Sequence, residues 1–314
     1  MEALSRIPDT KLQFEVFGWG VGYEFFESIQ KKCELSFQLH RLHSYGDGSV
    51  GTFFRNCRIL KKAVEEIHPM LIVLDSDYHF PAYWFSNCPV VSVGQAYDVV
   101  ERSRDYQFRS ISEALRWFFY EKLDAWIQTR FSNHVIVPAF RNFSRQSKKI
   151  VKIPLVVRNE FIEKRRVAPT STLGFLLSGS QLESEKFLAV AKAHNLEVIS
   201  PACGTTATRA ESLDRFDFII TQGGLSSISE CMARQKFMIV VPLADHPEQS
   251  LNASEVERLG LGLKATIYDL ENLSNLVERA RHRRRTVRPQ VVNCHGADWA
   301  ARLLIHQVCG QTIH

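Results

Sequence analysis

Short runs of β-branched and aromatic residues alternate with longer amphipathic stretches along most of the chain. A run apolar at nearly every position predicts a strand buried on both faces, and an apolar stripe at helical spacing predicts a helix between such strands. In the first half the pattern predicts strands over 12–17, 35–40, 71–74, 90–93 and 135–137, and helices over 21–31, 51–67 and 111–123. In the second half it predicts strands over 173–177, 196–199, 218–221 and 238–241. Helices are predicted over 182–194 and 297–307, and two more begin at Ser226 and Glu248. Alternation of this kind implies a parallel sheet with helices on its faces. The stretch from Lys148 to Val167 breaks the rhythm, so the chain reads as two α/β units, residues 1–160 and 161–314, facing a cleft.

Composition narrows the class. At 314 residues, 45% hydrophobic and 23% charged, the chain suits two globular domains with cores of their own. No apolar run approaches the ~18 residues that span a bilayer, and no secretory pattern is visible at the N-terminus. The seven cysteines are scattered without C-x-x-C spacing. This fits reduced thiols in a cytoplasmic protein, not a disulfide framework or a zinc site. The net charge of +5 gathers partly in Arg141–Lys149 and Arg279–Arg288. Such runs read first as solvated surface, and second as contact with an anionic membrane at its inner face. No nucleic-acid partner is expected.

Candidate chemistry concentrates between Phe218 and Gly262. An apolar strand ends at Gly223-Gly224, and a helix opens on Ser226-Ser227 with an acid at Glu230. Open backbone N–H groups and the helix dipole make such a turn an anion site. The glycines let a diphosphate approach the backbone. Ser227-x-x-Glu230 also reads as a capping box that needs no ligand. Further on, Glu248-Gln249 offers acceptors and donors to adjacent hydroxyls, or simply a first-turn acid on a helix. Asn252 reads as bonded to local backbone. The turn Ser178-Gly179-Ser180 follows the first strand of the second unit. Gly94-Gln95 and Tyr97 follow a strand end on the other side of the cleft. Trp117–Tyr120 and Trp126 are read with half of them in the core and the rest as an apolar surface.

The order and spacing of these features resemble the C-terminal donor domain of GT-B glycosyltransferases, in the branch containing family 28 and the lipid-II-forming N-acetylglucosaminyltransferase. The resemblance covers about residues 173–262. It implies two Rossmann-like domains and an inverting, metal-independent transfer from a nucleoside-diphosphate sugar, most often a UDP-sugar, to an acceptor hydroxyl. No cofactor beyond that co-substrate and no metal site are expected. The resemblance assigns Gly223, Gly224, Ser226 and Ser227 to the donor diphosphate, Glu230 to the ribose, and Glu248 and Gln249 to the donor sugar. Gln235-Lys236-Phe237 departs from the family's Gly-Lys-Pro at a helix end.

In that family the N-terminal domain starts with a strand and a glycine-rich loop. Here the chain opens MEALSRIPDTKLQFEVFGWG, in which residues 2–7 resemble the end of a helix and 12–17 the family's second strand. The first β-α unit is therefore expected to be absent. A misplaced start, a shortened protein or a partner subunit would each account for it. The loop in question supplies a catalytic base in some members, so a substitute is sought. Asp75 and Asp77, at a strand end beside Tyr78 and His79, are the candidates, with a helix cap as the alternative role. His134 and His246 follow as lesser candidates. Two other readings remain: a nucleotide-sugar-binding protein without catalysis, and a sugar-nucleotide epimerase. The latter needs a second carboxylate beside Glu248, and none is evident in the sequence.

Overall fold

The computed structural model describes residues 1–5, 12–30, 37–44, 50–75, 77, 79–84, 86–108, 110–141, 143, 147–163, 169, 171–177, 184–199 and 206–309. In the first half the order is α1 (Glu2–Ser5), β1 (Phe14–Gly18), α2 (Gly20–Gln30), β2 (Phe37–Arg41), α3 (Val50–Ile67), β3 (Ile72–Asp75), β4 (Val90–Val93) and α4 (Ala96–Arg102). There follow α5 (Ile111–Arg116), a π-helical turn (Trp117–Lys122), α6 (Leu123–Phe131), β5 (His134–Pro138), β6 (Ile150–Ile153) and α7 (Asn159–Glu163). The second half comprises β7 (Ser171–Leu176), α8 (Ser184–Ala193), β8 (Val198–Ile199), α9 (Thr206–Asp214), β9 (Phe216–Thr221), α10 (Leu225–Ala233), β10 (Phe237–Val240), α11 (Pro247–Arg258), β11 (Gly262–Lys264), α12 (Leu273–Thr286) and α13 (Gly296–Cys309).

Every pairing within the sheets is parallel. The second half is one five-stranded sheet in the order β11-β10-β9-β7-β8. Its central strands are mostly apolar because helices cover both faces: Phe175, Ile219, Ile220, Met238 and Ile239 are fully buried. The strand order reverses between β7 and β9, so the crevice at their carboxyl ends is the expected ligand position. Among the described residues the first half has a four-stranded sheet, β3-β4-β5-β6, and a separate pair, β1-β2. The two share a core: Phe17 of β1 packs against the cluster that holds Ile72 and Leu74 of β3.

Several elements escaped the periodicity. β6 lies where the rhythm seemed to break, because a lysine interrupts its apolar run. Lys152 is buried and ion-paired to Asp98 at 2.7 Å and to Glu101. The basic run ending at Arg288 is mostly α12, whose arginines bind the protein itself. Arg283 donates to the carbonyls of Gly262 and Glu257. The last helix, α13, returns to the first sheet, where Leu304 packs with Val91, Ile136 and Ile153.

The two halves meet along α11. Tyr106 donates to Ser250 at 3.1 Å, Ser110 to Asp245 at 3.2 Å, and Arg141 pairs with Glu255 at 3.1 Å. No described helix is long and apolar enough to cross a membrane.

Candidate functional site

The glycine turn leaves β9 at the sheet's switch point. Gly223 has φ +98°, and a Cβ there would stand 3.0 Å from the Gln249 carbonyl and 3.1 Å from Val240 Cγ1. Only glycine fits this backbone without strain. Gly224 is the N-cap of α10 and brings no side chain to that end. The first intrahelical bond is Ile228 N–H to the Gly224 carbonyl. The N–H groups of Leu225, Ser226 and Ser227 are therefore left open at the positive end of the helix dipole. Ser226 is exposed beside them and Ser227 is buried. The other small-residue turn, 178–180, lies outside the described residues.

The capping-box reading of Ser227 and Glu230 does not hold, because Gly224, not Ser227, occupies the cap. Glu230 instead sits between two arginines, Arg158 at 2.6 Å and Arg209 at 2.8 Å. Arg158 also lies over the rings of Phe25 and Phe161. Glu230 is thus a charge-compensated, buried acid one turn into α10.

Glu248 and Gln249 occupy the first turn of α11, which starts at Pro247. Gln249 is buried, and its Oε1 accepts from the Leu243 N–H at 3.0 Å, fixing the loop before the helix. Asn252 is not bonded locally, as its position suggested. Its Nδ2 donates across the fold to the Gly223 carbonyl at 3.1 Å and reaches Glu248 Oε1 at 3.4 Å. Its Oδ1 accepts from Arg102 Nη2 at 2.8 Å. Arg102 belongs to the first half, at the end of α4, and Asp98 holds its Nε at 2.7 Å. One asparagine therefore ties the glycine turn, α11 and the opposite domain together.

The π-helical turn contributes a residue that the sequence did not single out. Trp117, Glu121, Ala125 and Gln128 form the inward face of the segment from α5 to α6. Glu121, Ala125 and Gln128 are buried, and Trp117 is half-buried. Phe118, Phe119, Tyr120, Leu123 and Trp126 are all exposed, so the expectation that half of the aromatic residues fill the core fails. Their helical spacing is real, but the stripe points outward. Arg116, Lys122 and Arg130 are exposed in the same segment, and Lys122 lies over the rings of Trp117 and Phe118.

Glu121 is only 7% exposed and makes no hydrogen bond or ion pair within bonding distance among the described residues. Burial, the nearby charge of Glu248 and that of Asp124 push its carboxyl up to about 8, against a smaller opposing effect of Arg102. Burial likewise pushes Glu248 up to about 7, opposed by Arg102 and the bond to Asn252. Two carboxyls from opposite halves thus lie on elements that pack together, each with its proton held into the neutral range. Other buried polar atoms near this junction have no partner among the described residues: the Gln95 amide, Arg102 Nη1, Trp117 Nε1, Gln128 Oε1 and His246 Nδ1. An acid within W-F-F-Y-E-K was the available signal, and the run of aromatic residues masked it.

Asp75 and Asp77 behave differently. Asp77 accepts from the N–H of His79 at 3.0 Å and contacts its Nδ1 at 2.5 Å, which orients the first turn after β3. His79 in turn stacks on Phe53. Asp75 is exposed at the end of β3, although surrounding protein raises its carboxyl. Among the described residues neither aspartate bonds to the second half.

The switch-point turn and the α11 motif match a known domain. Residues 204–296 match the glycosyltransferase family 28 C-terminal domain. Over 88 residues the chain is 32% identical to an uncharacterised glycosyltransferase of Methanopyrus kandleri, which is 27% of this chain and 25% of that protein. Two solved structures resemble the whole fold. One is the UDP-GlcNAc 2-epimerase of Neisseria meningitidis bound to UDP-GlcNAc, at 12% identity and TM-score 0.57, covering 99% of this chain and 94% of that one. The other is the calicheamicin glycosyltransferase CalG4, at 14% identity and TM-score 0.55, covering 96% of this chain and 92% of that one. The fold is GT-B, two Rossmann-like units across a cleft. Within the matching residues, the glycine turn and the head of α11 lie side by side, joined by Asn252.

Proposed function

We propose that this protein is a glycosyltransferase that moves a sugar from a nucleoside-diphosphate donor, a UDP-sugar in the favoured case, to an acceptor hydroxyl with inversion. The observation that carries the reading is the uncapped start of α10 behind Gly223, at the switch point of the sheet. An anion there gains three open N–H groups and the helix dipole. Gly223, Gly224, Ser226 and Ser227 would hold the diphosphate, Glu230 the ribose, and Glu248 with Gln249 the hydroxyls of the donor sugar. Charge on the leaving diphosphate would be met by the helix terminus, so the step needs no divalent ion. On the acceptor side, Asp75 and Asp77 lie at the end of β3.

The exposed stripe Phe118, Phe119, Tyr120, Leu123 and Trp126, flanked by cations, supports an acceptor carried on an apolar anchor and contact with a membrane surface. The pairing of Glu121 with Glu248 favours a second reading, epimerisation of the donor sugar, because it supplies the second carboxylate that such chemistry requires. Non-catalytic donor binding is the third.

A panel of UDP-glucose, UDP-N-acetylglucosamine, GDP-mannose and TDP-glucose separates these readings. Transfer releases the nucleoside diphosphate, slowly even with water as acceptor. Epimerisation changes the sugar without releasing it, and mere binding does neither. A protein that neither binds nor turns over any of the four would end the proposal.

A further inference from the structure

We propose that Glu121 is the catalytic base of this transfer, acting from the first domain upon the acceptor hydroxyl while Glu248 holds the donor sugar. The inference rests on the donor-site reading above and names a residue that neither the family 28 match nor the motif order assigns.

Position argues for it first. α4, the π-helical turn and α11 pack against one another, and Glu121 sits on the turn's inward face at their junction. α11 carries Glu248 and Asn252, and Asn252 reaches the carbonyl of Gly223. A donor whose diphosphate lies on α10 and whose sugar lies on Glu248 would therefore run along α11, the helix against which the turn carrying Glu121 packs. A base must stand across the sugar from the leaving group for inversion, and Glu121 belongs to the opposite domain.

Its surroundings argue next. Glu121 is buried with no hydrogen bond among the described residues, and polar groups kept in such settings are often completed by a ligand or water. Unpartnered donors at Gln95, Arg102 Nη1 and Trp117 Nε1 lie around the same junction. A polyhydroxylated substrate offers partners to all of them. π-Helical turns recur at functional sites because the extra residue re-aims side chains. Here the turn sets Glu121 inward while Phe118, Phe119 and Tyr120 face outward. One segment thus offers an apolar ledge outside and a carboxylate within, the arrangement required to bring the hydroxyl of an apolar-anchored acceptor to the donor.

The step balances as follows. The acceptor O–H proton passes to a Glu121 oxygen as the acceptor oxygen bonds to the anomeric carbon. The bond from that carbon to the diphosphate oxygen breaks, and its electron pair leaves with the nucleoside diphosphate at the start of α10. Product release returns the proton to solvent. The groups that set the base's titration are Glu248 on α11 and Asp124 on α6, which raise it, and Arg102 on α4, which lowers it.

The test uses the full chain with the four sugar nucleotides above. It reads nucleoside diphosphate release with water as acceptor, together with the thermal shift given by UDP alone. Glu121→Gln is expected to lower kcat by about 10²- to 10⁴-fold, the range for loss of a general base, with the UDP shift retained. Wild-type kcat should rise with pH as Glu121 ionises near 8 and level off above it, and the residual rate of E121Q should lack that rise. Glu121→Asp should keep the pH-dependent limb at a reduced rate. A purely structural glutamate would not move the profile. If E121Q releases product at the wild-type rate with the same profile, or if Asp75→Asn alone removes the limb, the base assignment is wrong and the donor site stands. If the wild-type chain neither shifts with UDP nor turns over any donor, the donor-site reading itself fails and this inference with it.

Discussion

Arg102 donates from Nη2 to Oδ1 of Asn252 at 2.8 Å, and Asn252 donates from Nδ2 to the carbonyl of Gly223 at 3.1 Å. A residue of one domain therefore steadies the phosphate turn of the other through a single amide. Asn252 is fully buried, so its loss takes a partner from the Gly223 carbonyl and from Arg102 Nη2, while Asp98 still holds Arg102 Nε. Asn252→Ala should cost about 1–3 kcal/mol of stability, read from urea unfolding, and should weaken UDP binding as the turn loosens. Unchanged stability would mean that the bridge is incidental. Gly223→Ala should cost more than about 1 kcal/mol through its positive φ alone.

Arg158 and Arg209 both hold Glu230, yet the ribose assignment needs a free carboxylate oxygen. Removing Glu230 would leave two arginines facing each other, a change worth about 3–5 kcal/mol in buried pairs, and would confuse binding with folding. Arg158→Ala is the cleaner change, because Arg209 still neutralises the acid while Oε1 is released. UDP affinity should hold or improve by up to roughly 1 kcal/mol, the net value of a hydrogen bond, in calorimetric titration. A large loss of affinity would move the nucleotide contact from Glu230 to Arg158 itself.

Stability should depend on pH through the carboxyl pair. Glu121 and Glu248 have folded-state pKa values raised to about 8 and about 7, above their unfolded values near 4.3. Between those limits the folded chain holds more protons than the unfolded chain. Stability is therefore fully present at lower pH and falls as pH rises through the pair's titration, by at most ~1.4 kcal/mol per pH unit for each group. Glu121→Gln should flatten the decline in melting temperature between pH 5 and pH 8, roughly the span of these shifts. It would leave the share due to Glu248, itself eased by losing a like-charged neighbour. A slope identical to wild type would place Glu121 in a more solvated setting.

The outward aromatic stripe gives a prediction independent of the donor site. Replacing Phe118, Phe119 and Trp126 together with serine removes exposed apolar surface and little core, so folding should survive. Sedimentation with anionic phosphatidylglycerol vesicles should fall by about tenfold or more, since each buried side chain contributes on the order of 1.5–3 kcal/mol. The UDP-induced thermal shift should not change. Equal sedimentation of variant and wild type would exclude this face as the membrane contact.

Much of the fold was legible because the central strands carry unbroken apolar runs, residues 218–220 of β9 and Phe237–Val240 of β10. β9 and β10, for example, are recognisable within the segment that also carries the glycine turn. β6 was hidden because Lys152 interrupts its apolar run, and only its ion pairs with Asp98 and Glu101 make that lysine compatible with burial. The short β11 and the helix α9 carried too little periodicity to be seen. Within the site, residues adjacent in sequence were readable: Gly223 to Glu230, and Glu248 to Asn252. Relationships across the fold were not. Nothing local links Arg102 to Asn252, or Glu121 to Glu248, since each pair is assembled by domain packing. The aromatic run from Trp117 to Tyr120 misdirected the reading for a physical reason, because its spacing reveals a face but not which way the face points.

Ser226 offers the most direct test of the central claim, that the start of α10 receives a donor diphosphate. It is exposed in the first turn of an uncapped helix, so Ser226→Asp adds an acid where the dipole favours one, by about 0.3–1 kcal/mol. The same acid occupies the position proposed for phosphate oxygens. The measurement is the thermal shift of wild type and S226D with and without UDP. Wild type should gain roughly 2.7 kcal/mol at about 100 times the dissociation constant. S226D should be as stable as wild type or more so without ligand, and should show no shift with it. An equal UDP shift in both proteins would contradict the account.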